Sequence, residues 1–229
     1  MNELALFAGA GGGILGSHLL GWRTVCAVEY NAYARSVLLA RQDDGTLAPF
    51  PIWDDVRTFD GRPWRGFIDV VSGGFPCQPF STASRGRRVA EDRWPDMFRI
   101  ITEVEPSGVL AENVQREPIE RAASALRRIG YSTAIGKNCP SALGSAHRRP
   151  RWWLVANADG KGQSRLSVDA EMACLRPVPR LASWQNDPLA LGMDDGVANR
   201  MDRLAALGNG QLPSMAARAW RHLGGVAGA

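Results

Sequence analysis

The chain has 229 residues, 45% of them hydrophobic, which suffices for one full core with a small excursion but not for two equal domains. No run approaches the roughly 18 to 20 apolar residues of a membrane span, and Met1 to Phe7 carries Glu3 and no basic leader, unlike a secretory signal. The net charge is +4, and all basic residues except Lys137 and Lys161 are arginines, a bias that suits phosphate and base-edge contacts and follows equally from a GC-rich genome.

Leu4 to Phe7 predicts a strand that runs into a glycine-rich turn, with a helix after it carrying Ile14, Leu15, Leu19 and Leu20 and stopping at Gly21. Thr24 to Val28 predicts a second strand closed by Glu29, and Asn31 caps a helix through Leu39. Ile52 to Val56 reads as an edge segment. Phe67 to Val71 predicts a third main strand ending at Gly73 and Gly74, and Ser107 to Leu110 a fourth ending at Glu112. Between those two lie a polar, basic loop, Ser81 to Arg93, and a helix from Pro95 to Glu103. Pro118 opens a helix closed by Gly130, and Tyr131 to Ile135 and Trp152 to Ala156 form a final strand pair. Strands alternating with helices predict a doubly wound α/β sheet. Composition turns polar and aperiodic from Asn157 to Asn199, and order returns in a helix from Pro213 to Leu223. The expected division is 1–156 for the main domain, 157–198 for an irregular insertion and 199–229 for a segment returning to the main domain.

Two ends of this sheet carry candidate chemistry. Gly9, Gly11 and Gly12 sit where the first strand turns into the first helix, where residues without a Cβ let backbone amides approach a ligand. Glu29 stands where a carboxylate accepts from ribose hydroxyls, and Asp55 where one accepts from an adenine amino group. Gly11, Gly13 and Gly16 also satisfy the GxGxxG spacing, so a nicotinamide site and a ligand-free structural turn both stay open. At the other end, Pro76-Cys77-Gln78-Pro79 follows the third strand directly, and the next strand ends in Glu112-Asn113-Val114. A thiol and a carboxyl group on neighbouring strand ends form a nucleophile and acid pair. The plainer readings are an incidental exposed thiol and a solvated glutamate. Cys26, in mid-strand, reads as packing. The four cysteines have no CxxC spacing, so neither a metal site nor a disulfide framework is expected.

The order Phe7-Ala8-Gly9-Ala10-Gly11-Gly12, Glu29, Asp55, Pro76-Cys77-Gln78, Glu112-Asn113-Val114, Arg149-Pro150-Arg151 and Gly208-Asn209 resembles the motif series of the C5-cytosine DNA methyltransferases, and the compact phage and prophage type in particular. The resemblance implies a Rossmann-like sheet binding S-adenosylmethionine, with Phe7, Gly9, Ala10, Gly11, Gly12, Glu29, Tyr30, Asp55, Val56, Gly74, Pro76 and Asn209 at the cofactor. It implies that the Cys77 thiolate attacks C6 of a cytosine flipped out of duplex DNA, with Pro76 and Gln78 framing it. Glu112 then works on N3 and the exocyclic amino group as a protonated or proton-sharing carboxyl group. Arg149 and Arg151 supply fixed charge near O2, and Asn113 braces the loop of Pro76 and Cys77. Ser81, Arg85, Arg87, Arg88 and His147 are implied DNA contacts.

His147 stands where the family usually has glutamine, Ser84 where glycine is common, and the insertion of roughly 40 residues is short against a typical domain. Target recognition is therefore expected to be short, relaxed or assisted by a helper protein. A cytoplasmic monomer acting on double-stranded DNA, in a bacterial or phage-infected cell, without metal and off the membrane, is the expected form. A nicotinamide oxidoreductase, a non-catalytic DNA-binding relative and an RNA substrate remain as alternatives.

Overall fold

The computed structural model describes residues 1–77, 91–138, 150–158, 202 and 210–226. Among these, the strands are β1 (Asn2–Leu6), β2 (Arg23–Val28), β3 (Ile52–Trp53), β4 (Val70–Gly74), β5 (Gly108–Asn113), β6 (Tyr131–Asn138) and β7 (Arg151–Ala158). The helices are α1 (Gly12–His18), α2 (Ala32–Asp43), α3 (Trp94–Val104), α4 (Arg116–Arg128) and α5 (Pro213–His222), with a 3-10 turn at Arg62–Trp64. One sheet holds all seven strands in the order β3-β2-β1-β4-β5-β7-β6. The pairs from β3 to β5 are parallel, while β7 enters antiparallel to both β5 and β6.

Strand periodicity explains how both faces are covered. Leu4, Leu6, Val71, Val109, Ala111, Leu154 and Ala156 join one core with the apolar faces of α3 and α4. Their chain neighbours point the other way: Val70, Leu110, Trp153 and Val155 pack with Met215, Ala219 and Trp220 of α5, and Ala5 and Ala27 with Ile14 of α1 and Leu38 of α2. Apolar strands buried on both faces, with helices on each side, are what a largely parallel sheet requires. Trp220 meets Trp22 edge-on at 4.7 Å, anchoring α5 beside the start of β2.

Element order follows the sequence reading, with shifts at several ends; the edge segment expected over Ile52 to Val56 is a strand only at Ile52–Trp53. The strand expected from Phe67 begins at Val70: Phe67 lies half-exposed in the turn after the 3-10 segment, and the Asp69 carboxylate is already accepting from the Asn2 amide at 2.6 Å. Helix α4 starts at Arg116, two residues before Pro118, which fits inside the first turn because its missing N–H has no helical partner there. The final strands are longer than expected, because β6 and β7 pair over their whole length from Tyr131↔Ala158 to Asn138↔Arg151. Most of the insertion expected at 157–198 lies outside the described residues.

Several polar groups are buried in this apolar frame, and among the described residues Glu3 is the most completely enclosed. Glu3 on β1 has no exposed surface, and its carboxyl group accepts from Ser17 Oγ (2.5 Å), Ser72 Oγ (2.5 Å) and Thr24 Oγ1 (2.6 Å). It ties β1, α1, β2 and β4 together. Burial pushes its pKa up, and the three hydroxyls pull less strongly the other way.

Candidate active site

In the strand order, connections from β1 run one way, to β2 and β3, and those from β4 run the other, to β5. The crevice at such a switch point, beyond the carboxyl ends of the strands, is where open α/β sheets bind ligands. A cavity of about 450 Å³ lies there.

The β1 and β2 side of the cavity is formed by Phe7, Gly9, Glu29 and Tyr30. Phe7 and Gly9 both have positive φ (52° and 55°), which folds the chain sharply out of β1 and presents backbone to the cavity. Glu29 holds this turn: one carboxylate oxygen accepts from the Gly9 amide at 2.6 Å, the other from the Asn31 amide at 2.7 Å. Each oxygen has a second lone pair for a ligand hydroxyl. Gly11 is the N-cap of α1. Gly12 is needed for a different reason: a Cβ there would sit 2.1 Å from the Gln211 carbonyl oxygen, so the segment entering α5 closes directly on the loop. Ala10, Gly11 and Gly12 do not line the cavity, but they shape the turn that does.

Asp55 and Val56 lie outside the lining. The Asp55 carboxylate is engaged by the Arg57 guanidinium, at 2.5 Å from Nη2, and that hydrogen bond holds its pKa down at about 2. Val56 is core, in the cluster with Phe59 and Ile101. The exposed ring of Tyr30, which lines the cavity, lies 5.7 Å from the Arg57 guanidinium that holds Asp55.

On the β4 and β5 side stand Gly74, Pro76, Cys77, Glu112, Asn113 and Arg151. Cys77 and Glu112 therefore face one cavity. Asn113 Nδ2 donates to the Phe75 carbonyl (2.9 Å) and the Arg93 amide to that of Pro76 (3.0 Å), so the residues before Cys77 are fixed from two sides. Arg151 Nε lies 2.9 Å from Glu112 Oε1, and Gln211 Nε2 donates to Glu112 Oε2 at 3.4 Å. The antiparallel pairing of Glu112 with Trp153 and Asn113 with Trp152 carries Arg151 to this strand end.

The thiol is less exposed than its proline-framed loop suggests. Cys77 is 4% exposed, packs at the edge of the main core, and has its pKa raised by that burial. A hydrogen bond from Arg121 Nη2, 3.3 Å from Sγ, acts in the opposite sense. Cys26 is pushed up to about 12 by burial and lines no part of the cavity, consistent with a packing role. Gln78, Ser81, Arg85, Arg87, Arg88, His147, Arg149 and Asn209 lie outside the described residues.

Sequence reading missed Arg121, Asp92 and Gln211. Arg121 looks like one half of an i,i+4 pair with Glu117 on a solvated helix face, and Asp92 like part of a polar loop. Gln211 does follow Gly208-Asn209 closely, a signal that could have found it. Among the described residues, no cluster of three or more metal-ligating side chains occurs, and no helix is long and apolar enough to cross a membrane.

Residues 1–181 match the family model of the C-5 cytosine-specific DNA methylases. The chain is 38% identical over 113 residues to the Type II methyltransferase M.PspPI of Psychrobacter sp., covering 48% of this chain and 26% of that protein. It is 34% identical over 205 residues to M.AluI of Cellulosimicrobium cellulans, covering 82% of this chain and 37% of that one. It thus spans between about a quarter and two fifths of these relatives. Among solved structures, the S. pombe Dnmt2 methyltransferase superposes with a TM-score of 0.55 at 23% identity, over 71% of this chain and 50% of its own, and a Spodoptera frugiperda DNMT2 variant with 0.58 at 18%, over 73% and 53%. These likenesses confirm the doubly wound, Rossmann-like sheet, and with the family model matched over most of its length the chain belongs to the C-5 cytosine-specific DNA methylases.

Proposed function

We propose that this chain is a DNA cytosine-C5 methyltransferase that takes its methyl group from S-adenosylmethionine and acts on a flipped cytosine in double-stranded DNA through a bond between Cys77 Sγ and C6. The observation that carries the reading is the shared cavity: the glycine turn with Glu29 on one side, Cys77 and Glu112 on the other.

The cavity has a size suited to a nucleoside-sized ligand. Glu29 has lone pairs for ribose hydroxyls, Gly9 offers bare backbone, and Phe7 and Tyr30 offer aromatic surface. Asp55, held by Arg57, contributes through the rim. The cofactor supplies an electrophilic methyl group. On the other side, attack by the Cys77 thiolate forms the S–C6 bond and turns C5 into an enamine-like carbon. Glu112, with Arg151 on one oxygen and Gln211 on the other, handles the proton at N3 that offsets charge in the ring. Once C5 is methylated, loss of the C5 proton and cleavage of the S–C6 bond restore the thiolate and the aromatic ring. Arg149 beside Arg151, Asn209 at the cofactor, and Ser81, Arg85, Arg87, Arg88 and His147 on DNA belong to the same proposal. So do a short or helper-assisted recognition segment and a bacterial cytoplasmic setting, which the bacterial relatives support.

Duplex DNA carrying 5-fluorocytosine tests it, because fluorine at C5 blocks the final elimination. With S-adenosylmethionine present, a denaturation-resistant adduct at the Cys77 peptide is expected. No adduct and no methyl transfer to DNA would overturn the reading, and transfer to tRNA alone would move it to RNA. Binding of NADH in place of S-adenosylmethionine would favour the oxidoreductase.

The two oxygen contacts of Glu29 give a further expectation. Glu29→Ala releases the Gly9 turn and removes the ribose acceptor, so the cofactor Kd rises by about tenfold or more, equivalent to roughly 1.4 kcal/mol. Calorimetric titration reads this directly; an unaltered Kd would take Glu29 out of the site.

A further inference from the structure

Arg121 touches the sulfur of Cys77 from a helix that no motif of the chain marks. Its Nη2 is 3.3 Å from Cys77 Sγ and 2.7 Å from Asp92 Oδ2, and its Nη1 is 3.9 Å from Glu117 Oε1. Asp92 is itself placed, because its other oxygen accepts from the Trp94 amide at 3.0 Å where α3 begins. The next residue, Arg93, donates its amide to the Pro76 carbonyl. The start of α3 therefore grips both the backbone beside the nucleophile and the guanidinium that reaches it.

We propose that Arg121 is part of the reaction machinery, a fixed cation on α4 whose N–H bond to Cys77 Sγ stabilises the thiolate, with Asp92 holding the guanidinium in that position. The inference rests on Cys77 being the nucleophile.

The physical need is plain. A nearly buried thiol favours its neutral form, whereas attack on a pyrimidine requires the anion. Arginine suits the task because it stays charged across the working pH range and its planar fork serves two acceptors at once. Among the described residues, the charged groups acting on the sulfur are Arg121 and Glu117 from α4 and Asp92 from the segment before α3, with Glu29, Glu112, Arg151 and Asp202 on the same cavity. Burial, Asp92 and Glu117 all oppose the anion, and the guanidinium contact offsets part of that cost without outweighing it. On ionisation the thiol proton leaves to solvent, and no bond to Arg121 forms or breaks.

Iodoacetamide alkylation of the intact protein across pH, read by mass spectrometry at the Cys77 peptide so that Cys26, Cys139 and Cys174 are told apart, tests the inference without DNA or methyl transfer. A failure of the methyltransferase reading therefore leaves this result independent. In Arg121→Gln the inflection of the alkylation profile moves to higher pH. In Arg121→Lys, which keeps the charge and loses the fork, it lies between that of Arg121→Gln and the wild type. Turnover on DNA should fall about tenfold in Arg121→Gln near neutral pH and recover toward wild type as pH rises through the variant's own alkylation inflection, with the cofactor KM unchanged. A purely structural role would lower turnover equally at every pH. An inflection that stays put in both variants, or a turnover deficit that is flat with pH, would overturn the proposal.

Discussion

Cys77→Ser is expected to lower kcat for DNA methylation by on the order of a thousandfold or more while the cofactor Kd stays within about twofold of wild type. The serine oxygen fits the same volume, but a hydroxyl is far less ionised than a thiol near neutral pH and adds to C6 poorly. Cofactor affinity survives because the Gly9 turn and Glu29 hang on the ends of β1 and β2, while residue 77 follows β4. Cys77 is nearly buried at the margin of the main core, so serine carries a desolvation cost of about 1 to 3 kcal/mol. Single-turnover kinetics with labelled cofactor, isothermal titration and a melting curve on the same preparation separate these effects. Turnover within about tenfold of wild type would remove Cys77 as nucleophile. A comparable loss of cofactor binding would show that the two walls of the cavity are not independent.

The largest effect on stability is expected at the opposite end of β1. Glu3→Ala leaves a cavity and deprives the hydroxyls of Thr24 and Ser72 of their acceptor, while Ser17 falls back on the Gly13 carbonyl at 3.3 Å. Cavity and unsatisfied groups together cost about 3 to 5 kcal/mol. Glu3→Gln keeps the shape and behaves differently. Burial raises the Glu3 pKa in the folded chain above its ordinary value of 4.5, so the native state holds this proton more tightly than the unfolded state. The contribution of Glu3 is fully favourable below the ordinary carboxylate range and is lost as pH rises through that range toward the raised native value. Wild type should therefore lose more stability than Glu3→Gln between acidic and mildly alkaline pH. Denaturant melts of both proteins across that window measure it. Parallel pH curves would mean that Glu3 is ionised as readily in the folded chain as in the unfolded one.

How much of this was legible beforehand differs by element. Leu4 to Leu6, Val70 to Val71 and Val109 to Leu110 announced buried strands because both alternating faces are apolar, and glycines and capping residues marked most helix ends. Gly9, Cys77 and Glu112 could be placed at strand ends, and the topology of a doubly wound sheet puts strand ends at one edge. Asn31 was read as a cap, and its side chain does accept from the Ala34 amide at 3.0 Å. The reach of Phe67 into a strand was misjudged because an apolar residue beside a strand looks the same whether it packs or lies open.

Local pattern carries element identity and order, since periodicity and turn chemistry are properties of neighbours along the chain. The amino-acid sequence by itself therefore determined a doubly wound sheet with a glycine turn, a thiol and a carboxyl group at one edge. Only the tertiary structure decided that Arg121 meets the sulfur across 44 residues and that Gln211 meets Glu112 across 99. It also decided that Glu29 clamps the Gly9 amide and that Asp55 is claimed by Arg57. Those contacts depend on how the layers stack and which rotamers the packing leaves open, and a distance between remote side chains has no local sequence period to announce it.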